Sequence, residues 1–198
     1  MKHSLHHSTY AMYLRNLTHY WSLADWDTIQ EGTYWYANAH DWAYQLADEA
    51  GASLERVCAV TAALSPAVKW DVNKRDTEAL IYGYLNGTEQ DTVVSTYGQN
   101  KQKAIDILKY GPEYLGKGMK TLSFYQNILH PDRCGAVTVD RHAFKALHRD
   151  EEGGASTVGR VAYRKAREGY VRASESFGVR PHELQAIIWT SYKKEVGR

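Results

Sequence analysis

Two side chains in this sequence lie where a reactive group would sit at the start of a helix: the amine of Lys120 and the carboxylate of Asp140. Lys120 follows the glycine turn Gly116-Lys117-Gly118, and the pattern from Met119 onward is helical. Asp140 follows the apolar run at residues 137–139, where Thr138 or Asp140 can cap the next helix. A neutral amine can attack an electrophilic carbon and form a Schiff base, and a fixed carboxylate can stabilise positive charge. We therefore expect Lys120 and Asp140 to face one cleft, with their functional groups a few ångströms apart.

The glycine turn is itself a candidate anion site. Two glycines that flank one residue allow backbone dihedral angles that a side chain would forbid, and they leave N–H groups free at a helix start. Such a turn can hold a phosphate oxygen. By itself, a Gly-X-Gly before a helix is more often only a turn, and a helix-start aspartate is more often only a cap. The order of glycine turn, lysine and then aspartate after an apolar run favours the functional interpretation.

Four short motifs resemble those of the helix-hairpin-helix DNA glycosylase superfamily, and of its endonuclease III-like members in particular. GKGMKT at residues 116–121 resembles the hairpin GVGRKT, and VDRH at residues 139–142 resembles VDTH. LS at residues 64–65 with VNK at residues 72–74 resembles the LS…VNK helix, and KQKAIDILK at residues 101–109 resembles SKAENIIK. The resemblance covers roughly residues 60–145. It implies an all-α, helix-hairpin-helix glycosylase-like fold.

The same resemblance implies a DNA glycosylase, with or without AP lyase activity, that acts on a damaged or modified base. Asp140 would stabilise the oxocarbenium-like charge at the sugar C1′, and the Lys120 amine would attack that carbon. The amine must first lose its proton, which a helix N-terminus and local desolvation both favour. The implied DNA contacts are Gly116, Lys117, Gly118, Thr121, Lys69, Trp70, Asn73, Lys74, Arg141 and His142.

One departure from the superfamily pattern leaves other functions open. The loop after the LS helix usually offers a Gln that fills the space left by an extruded base. Here the loop at residues 66–70 is one residue shorter and has no Gln, so Trp70 or Lys69 is the candidate wedge. The chain also resembles phage-encoded relatives of this fold. Some of those take part in thymine hypermodification, as transferases acting on pyrophosphorylated 5-hydroxymethyluracil in DNA, where Lys69 or Arg141 would hold the pyrophosphate. A non-catalytic DNA-binding or protein-interaction module is the third alternative.

Composition limits the classes of protein that this chain can represent. The 198 residues are 43% hydrophobic, which predicts one domain over residues 1–198 with a substantial core. A formal net charge of +1 gives no general basic surface, so any DNA contact must come from a local patch. Cys58 and Cys134, the only cysteines, are too few for a four-cysteine iron–sulfur cluster. We expect no cofactor or structural metal, apart from a possible monovalent cation at the hairpin.

The N-terminal segment does not resemble a secretion signal, and no apolar run reaches the length of a membrane span. We therefore expect no membrane partner and a location in the cytoplasm. The family resemblance implies DNA as the partner, in a bacterial or phage-infected cell. His3, His6 and His7 are irregularly spaced, which favours a frayed end over a metal site.

Hydrophobic periodicity and helix-stop residues predict about nine helices and no strand. The predicted helical segments are residues 8–23, 32–49, 54–64, 71–85, 101–110, 119–129, 140–148 and 157–177, and a last helix that starts at Pro181. Ser53 is the predicted cap of the third helix, whose apolar run makes it the expected central helix. Residues 150–156 look like the most flexible interior stretch, and the last two helices should pack against the N-terminal ones. Trp35 and Tyr36 are candidates for base stacking, although core packing is favoured.

Overall fold

The computed structural model of the chain describes residues 5–133, 135–149 and 158–197. Throughout these ranges all regular elements are helical and no strand occurs, which confirms the all-α prediction. The helices are α1 (His7–Leu23), α2 (Trp26–Ala50), α3 (Leu54–Leu64), α4 (Trp70–Leu85), α5 (Gly98–Tyr110), a short 3₁₀ helix (Pro112–Leu115), α6 (Met119–Leu129), α7 (Arg141–Leu147), α8 (Arg160–Phe177) and α9 (Pro181–Glu195). None of the helices in the described ranges is long and apolar enough to cross a lipid bilayer.

Several helix boundaries follow from local chemistry that the sequence already displays. The Ser53 hydroxyl accepts a hydrogen bond from the Arg56 N–H at 3.3 Å, which confirms it as the cap of α3. Gly178 ends α8 in the left-handed conformation, at φ 66° and ψ 26°, a region that glycine enters without a steric penalty. Pro181 is the first residue of α9, where the missing N–H costs nothing.

The predicted start of α2 was wrong by six residues, since the helix begins at Trp26 and not at Gly32. The Asp25 carboxylate accepts from the Thr28 N–H at 2.8 Å, so this aspartate supplies the helix-start hydrogen bond. Gly32 lies inside the helix, and its lack of a side chain lets α9 pass directly over it. A Cβ at that position would lie 2.5 Å from the backbone of Ile187. Smaller shifts affect α4 and α5, which begin at Trp70 and Gly98 instead of residues 71 and 101.

The chain divides into two compact units, and the first comprises Met1–Tyr36 and Arg133–Arg198. Within it, α1 packs against α7, α8 and α9, so the first and last helices share one core. Its largest fully buried side chains are Leu17, Tyr20, Leu147, Tyr170 and Leu184. The predicted flexible stretch at residues 150–156, the predicted helix start at residue 157, Cys134 and His3 lie outside the described residues.

The second unit, Ala37–Asp132, is built around α3. Every residue from 57 to 64 is buried, and α3 contacts α4, α5, α6 and the 3₁₀ helix, as expected for a central helix. Cys58 lies in this run, where burial raises the pKa of its thiol to about 12. That thiol is therefore protonated and unreactive at neutral pH. The expectation of one domain over residues 1–198 stays a prediction.

Candidate functional site

Asp140 caps α7, as its place in the sequence predicted. Its backbone is extended, at φ −85° and ψ −177°, and its Oδ1 accepts from the Ala143 N–H at 2.7 Å. The buried run before it is pinned by Tyr163, whose hydroxyl donates to the Val137 carbonyl at 2.8 Å and accepts from the Val139 N–H at 3.3 Å. The backbone that presents Asp140 is therefore fixed on both sides of the carboxylate.

The second carboxylate oxygen of Asp140 also has defined partners. The Trp189 indole Nε1 donates to Oδ2 at 3.1 Å, and the His142 Nδ1 lies 3.5 Å from the same oxygen. The side chains of His142 and Asp140 are 20% and 22% exposed, so solvent or a ligand can still reach them. This restraint leaves the carboxylate oriented before any ligand arrives, which is the condition for electrostatic stabilisation of a developing charge.

Aromatic rings and one ammonium group complete what we call the Asp140 cluster: Asp140, His142, Trp189, Tyr192 and Lys193. The His142 ring centre lies 6.4 Å from that of Trp189 and 5.8 Å from that of Tyr192. The Lys193 Nζ lies 4.1 Å from the centre of the Trp189 ring, within range of a cation–π interaction. The cluster thus places a carboxylate, an imidazole and a cation on one half-buried patch of the first unit.

Tyr170 is a buried residue that contacts the backbone of α7 next to the Asp140 cluster. Its hydroxyl donates to the Ala143 carbonyl at 2.9 Å, in the first turn of α7. Complete burial, and then the nearby charge of Asp140, raise the pKa of Tyr170 well above its ordinary value. The phenol therefore stays a neutral donor over the physiological range and holds the start of α7 in place.

The glycine turn has the local geometry that the sequence predicted. Gly116 has φ 81° and ψ −169°, a conformation almost restricted to glycine, and Gly118 at φ −66° precedes the start of α6 at Met119. Among the described residues no side chain caps α6, and its first turn carries no acid, so its first N–H groups form an electropositive end. Lys117 and Lys120 are exposed, and Thr121 is half-buried. The chain therefore does not supply the desolvation that was expected for Lys120.

Lys120 belongs to the second unit and Asp140 to the first. The expectation that the two face one cleft stays a prediction.

The loop and helix start at residues 66–74 differ from the expected DNA surface at Trp70, Asn73 and Lys74. Trp70 packs edge-to-face against Trp42 at 5.4 Å and against Phe124 at 6.4 Å, so it is part of an aromatic cluster and not a freely projecting wedge. Lys69 is exposed at the start of α4 and keeps the wedge role as a prediction. Lys74 pairs with Asp71 at 3.1 Å, which partly neutralises it.

Asn73 is a structural residue and is not available to a phosphate. Its side chain is 2% exposed, and its Nδ2 donates to the Thr61 carbonyl at 3.2 Å, which ties α4 to α3. Tyr36 is likewise buried, and its hydroxyl donates to Gln185 at 2.9 Å, so it belongs to the core. Trp35 packs edge-to-face against Tyr36 at 4.8 Å. Arg141, by contrast, is exposed at the first position of α7.

Sequence reasoning assigned none of Trp189, Tyr192 and Lys193 to a functional site. Trp189 lies 49 residues after Asp140, and no local pattern joins them.

In the described part of the chain, no group of three or more His, Cys, Asp or Glu side chains is arranged to hold a metal ion.

Comparison with known proteins assigns a family to the chain. No curated protein and no solved structure matches it. A family model matches residues 1–196, which is nearly the whole chain. The chain therefore belongs to DUF7178, described as a family of unknown function.

Proposed function

We propose that this protein is a DNA glycosylase that cleaves the N-glycosidic bond of a damaged or modified base. The observation that carries the proposal is the preorganised carboxylate of Asp140, which the Ala143 N–H and the Trp189 indole hold at 2.7 and 3.1 Å while it stays 22% exposed. The short motifs around the glycine turn and Asp140 add support, since they resemble those of the helix-hairpin-helix DNA glycosylases.

In this reaction the bond between C1′ and the base nitrogen breaks, and its electron pair leaves with the base. Positive charge develops on C1′ and the ring oxygen of the sugar, and a nearby carboxylate lowers the energy of that state. Water then adds to C1′ and releases a proton, which Asp140 or the imidazole of His142 at 3.5 Å can accept. A carboxylate that is already oriented needs no reorganisation during the step.

The glycine turn supplies the contact with the DNA backbone in this proposal. The uncapped start of α6 offers N–H groups to a phosphate oxygen, and the exposed Lys117 adds charge attraction. Lys120, also exposed, attacks C1′ only after bound DNA has displaced the water around its amine. The amine adds to C1′ of the opened abasic sugar, and loss of water gives a Schiff base. That adduct would permit strand cleavage by elimination, with the 3′-phosphate as the leaving group.

The test is incubation of the protein with a panel of damaged and modified bases in duplex and single-stranded DNA. Asp140→Asn is the informative variant because an amide oxygen can still accept from the Ala143 N–H while the negative charge is gone. We expect base release to fall by about 100-fold or more, in line with the loss of a preorganised electrostatic group. The matched control is Lys145→Gln, which alters a charge in the last turn of the same helix and should leave base release unchanged.

Base release that survives Asp140→Asn would overturn the assignment of the carboxylate. DNA binding with no product on any substrate, and with the same affinity in Asp140→Asn and Lys120→Ala, would leave a binding module. Product that forms only from pyrophosphorylated 5-hydroxymethyluracil DNA and an added amine would identify a base-modifying transferase instead.

Lyase activity has a separate test. Borohydride reduction should trap a covalent protein–DNA adduct through Lys120, because it reduces the Schiff base to a stable amine. Lys120→Ala should lose the adduct, whereas Lys117→Ala should keep it and only bind DNA more weakly. An adduct that persists in Lys120→Ala would show that another amine, or none, acts as the nucleophile.

A further inference from the structure

The first half of α8 carries a concentration of positive charge that the proposed function does not use. Residues 160–167 contain four basic side chains and no acidic one, whereas the whole chain has 24 basic and 23 acidic residues. All four are exposed: Arg160, Arg164, Lys165 and Arg167. None of them forms an ion pair with any residue that the structure describes. A local excess of one charge in a nearly neutral chain is typical of a surface that binds a polyanion.

Three of these side chains lie in one row along the helix, which we call the arginine stripe: Arg160, Arg164 and Arg167. They are four and three residues apart, the spacing that places helical side chains next to each other. The row rises about 10 Å along the helix axis, which is comparable with three steps of one strand of B-DNA. Lys165 points about 100° away from Arg164 and lines a cavity with residues of α1, so it is not part of the stripe.

The arginine stripe lies beside the segment that leads to Asp140. Arg167 donates to the Gly135 carbonyl at 3.0 Å, and Tyr163, on the adjoining face of α8, forms hydrogen bonds at two further positions of that segment. Gly135 is five residues before Asp140, so their Cα atoms are at most about 17 Å apart. The stripe and the Asp140 cluster therefore belong to the same unit, within reach of a few nucleotides of one strand.

The stripe is unfavourable for the helix that carries it. Like charges four residues apart destabilise a helix, and a cation in the first turn opposes the helix dipole. Arg160 is the first residue of α8. The nearest acid on the helix, Glu168, pairs with Arg172 at 3.9 Å and not with the stripe. The stripe therefore does not stabilise the fold, and no acid in the described part of the chain neutralises it, so a ligand that brings negative charge accounts for it best.

We propose that the arginine stripe binds consecutive phosphates of one strand of duplex DNA. A guanidinium group presents a planar fork of donors that matches two phosphate oxygens, and Arg167 needs only one of its five N–H groups for Gly135. The stripe holds the strand while the Asp140 cluster acts on a base of the same DNA, and in this respect the inference rests on the proposed function. Because phosphate contacts carry no sequence information, binding at the stripe is independent of the DNA sequence.

The test is the salt dependence of binding of the full chain to a short labelled DNA duplex, measured by fluorescence anisotropy between about 50 and 200 mM salt. Each phosphate contact adds about 0.9 to the steepness of log Kobs against log salt. The double variant Arg160→Gln, Arg164→Gln should therefore reduce the steepness by about 1.8. Its melting temperature should not fall, because the change removes like charges from the helix. Arg160→Lys with Arg164→Lys should keep most of the steepness, since the charge remains.

The matched pair of single variants is Arg164→Gln and Lys165→Gln, which remove one charge each from adjacent exposed positions of α8. Only Arg164 lies on the stripe. Arg164→Gln should reduce the steepness of the salt dependence by about 0.9, whereas Lys165→Gln should change it little. Equal reductions in the two variants would overturn the proposal, because diffuse charge attraction, and not the stripe, would then account for binding.

An unchanged salt dependence in the double variant would also overturn the proposal, as would a wild type that does not bind the duplex at low salt. Tighter binding of an RNA duplex of the same sequence would refute DNA as the partner of the stripe. The measurement needs no base release, so it separates the two proposals. Base release with an unchanged salt dependence would refute the stripe alone, and a reduced salt dependence without base release on any substrate would refute the glycosylase alone.

Discussion

The Asp140 cluster and the glycine turn present their functional groups in opposite ways. Asp140 is half-buried and is held through both oxygens, by the Ala143 N–H at 2.7 Å and the Trp189 indole at 3.1 Å. The glycine turn depends on backbone conformation alone: Gly116 has φ 81°, and Lys117 and Lys120 extend into solvent. One region is ordered by contacts between side chains, and the other by the dihedral angles of a single residue.

Under the proposed function, this difference corresponds to two separate roles. Stabilising a charge at one carbon requires a group whose position is fixed before the substrate arrives. Gripping a DNA backbone requires accessible N–H groups and flexible cations that adapt to phosphate positions. The two regions therefore differ in how substitutions should affect stability, and variants in each can break or sharpen the contrast.

The largest effect on stability is expected for Asp140→Ala. The variant loses the cap of α7 and leaves the Trp189 N–H without its acceptor, at a cost of about 2–3 kcal/mol. Chemical denaturation of both proteins measures the change. A loss under about 0.5 kcal/mol would show that the carboxylate is not held as tightly as its contacts indicate.

Gly116→Ala should have the second largest effect. Its free energy of unfolding should fall by about 2 kcal/mol, because alanine rarely adopts φ 81° with an extended ψ. Apart from its two chain neighbours, no residue in the described part of the chain comes within 4 Å of the Cβ that it adds, so the cost is conformational and not steric. The same denaturation experiment measures it. An unchanged stability would mean that the turn relaxes to an ordinary conformation at no cost.

Alkaline pH should act on the Asp140 cluster through Tyr170, whose pKa in the folded chain is well above the ordinary value because it is buried beside Asp140. An unfolded tyrosine loses its proton near pH 10, so the stabilisation is complete below about pH 10 and declines above it, by about 1.4 kcal/mol per pH unit. Melting temperatures of the wild type and of Tyr170→Phe between about pH 9 and pH 11 test this. The variant should decline less steeply, and parallel curves would contradict the assignment. Tyr20, whose pKa is raised to about 12 mainly by burial, is present in both proteins and adds its own decline to each curve.

The smallest effect is expected for Gly118→Ala, the matched partner of the Gly116 variant. Gly118 has φ −66° and ψ 115°, which alanine adopts readily, and the nearest atom to an added Cβ is the Thr121 Oγ1 at 3.6 Å. The stability should change by less than about 0.5 kcal/mol. A loss equal to that of Gly116→Ala would show that both glycines, and not one, determine the turn.

Most features that depend on neighbouring residues were predictable from the sequence, with the start of α2 after Asp25 as an exception, and features that depend on distant residues were not. The Ser53 cap, the stop at Gly178 and the cap at Asp140 all follow from hydrogen bonds or dihedral angles within four residues. Trp189 reaches Asp140 from another helix, and Asn73 is buried because its amide meets α3. Such contacts depend on how helices pack, which no local pattern encodes.

The close passage of α9 over Gly32 ties a remote position to the proposed reaction. Any side chain at position 32 must push the backbone at Ile187 away, and Ile187 lies only two residues before Trp189 on the same helix. A single methyl group added on α2 would thus displace α9, and the displacement would shift the Trp189 indole that orients the carboxylate. A substitution at position 32 would therefore test the proposed role of the Asp140 cluster without altering any of its side chains.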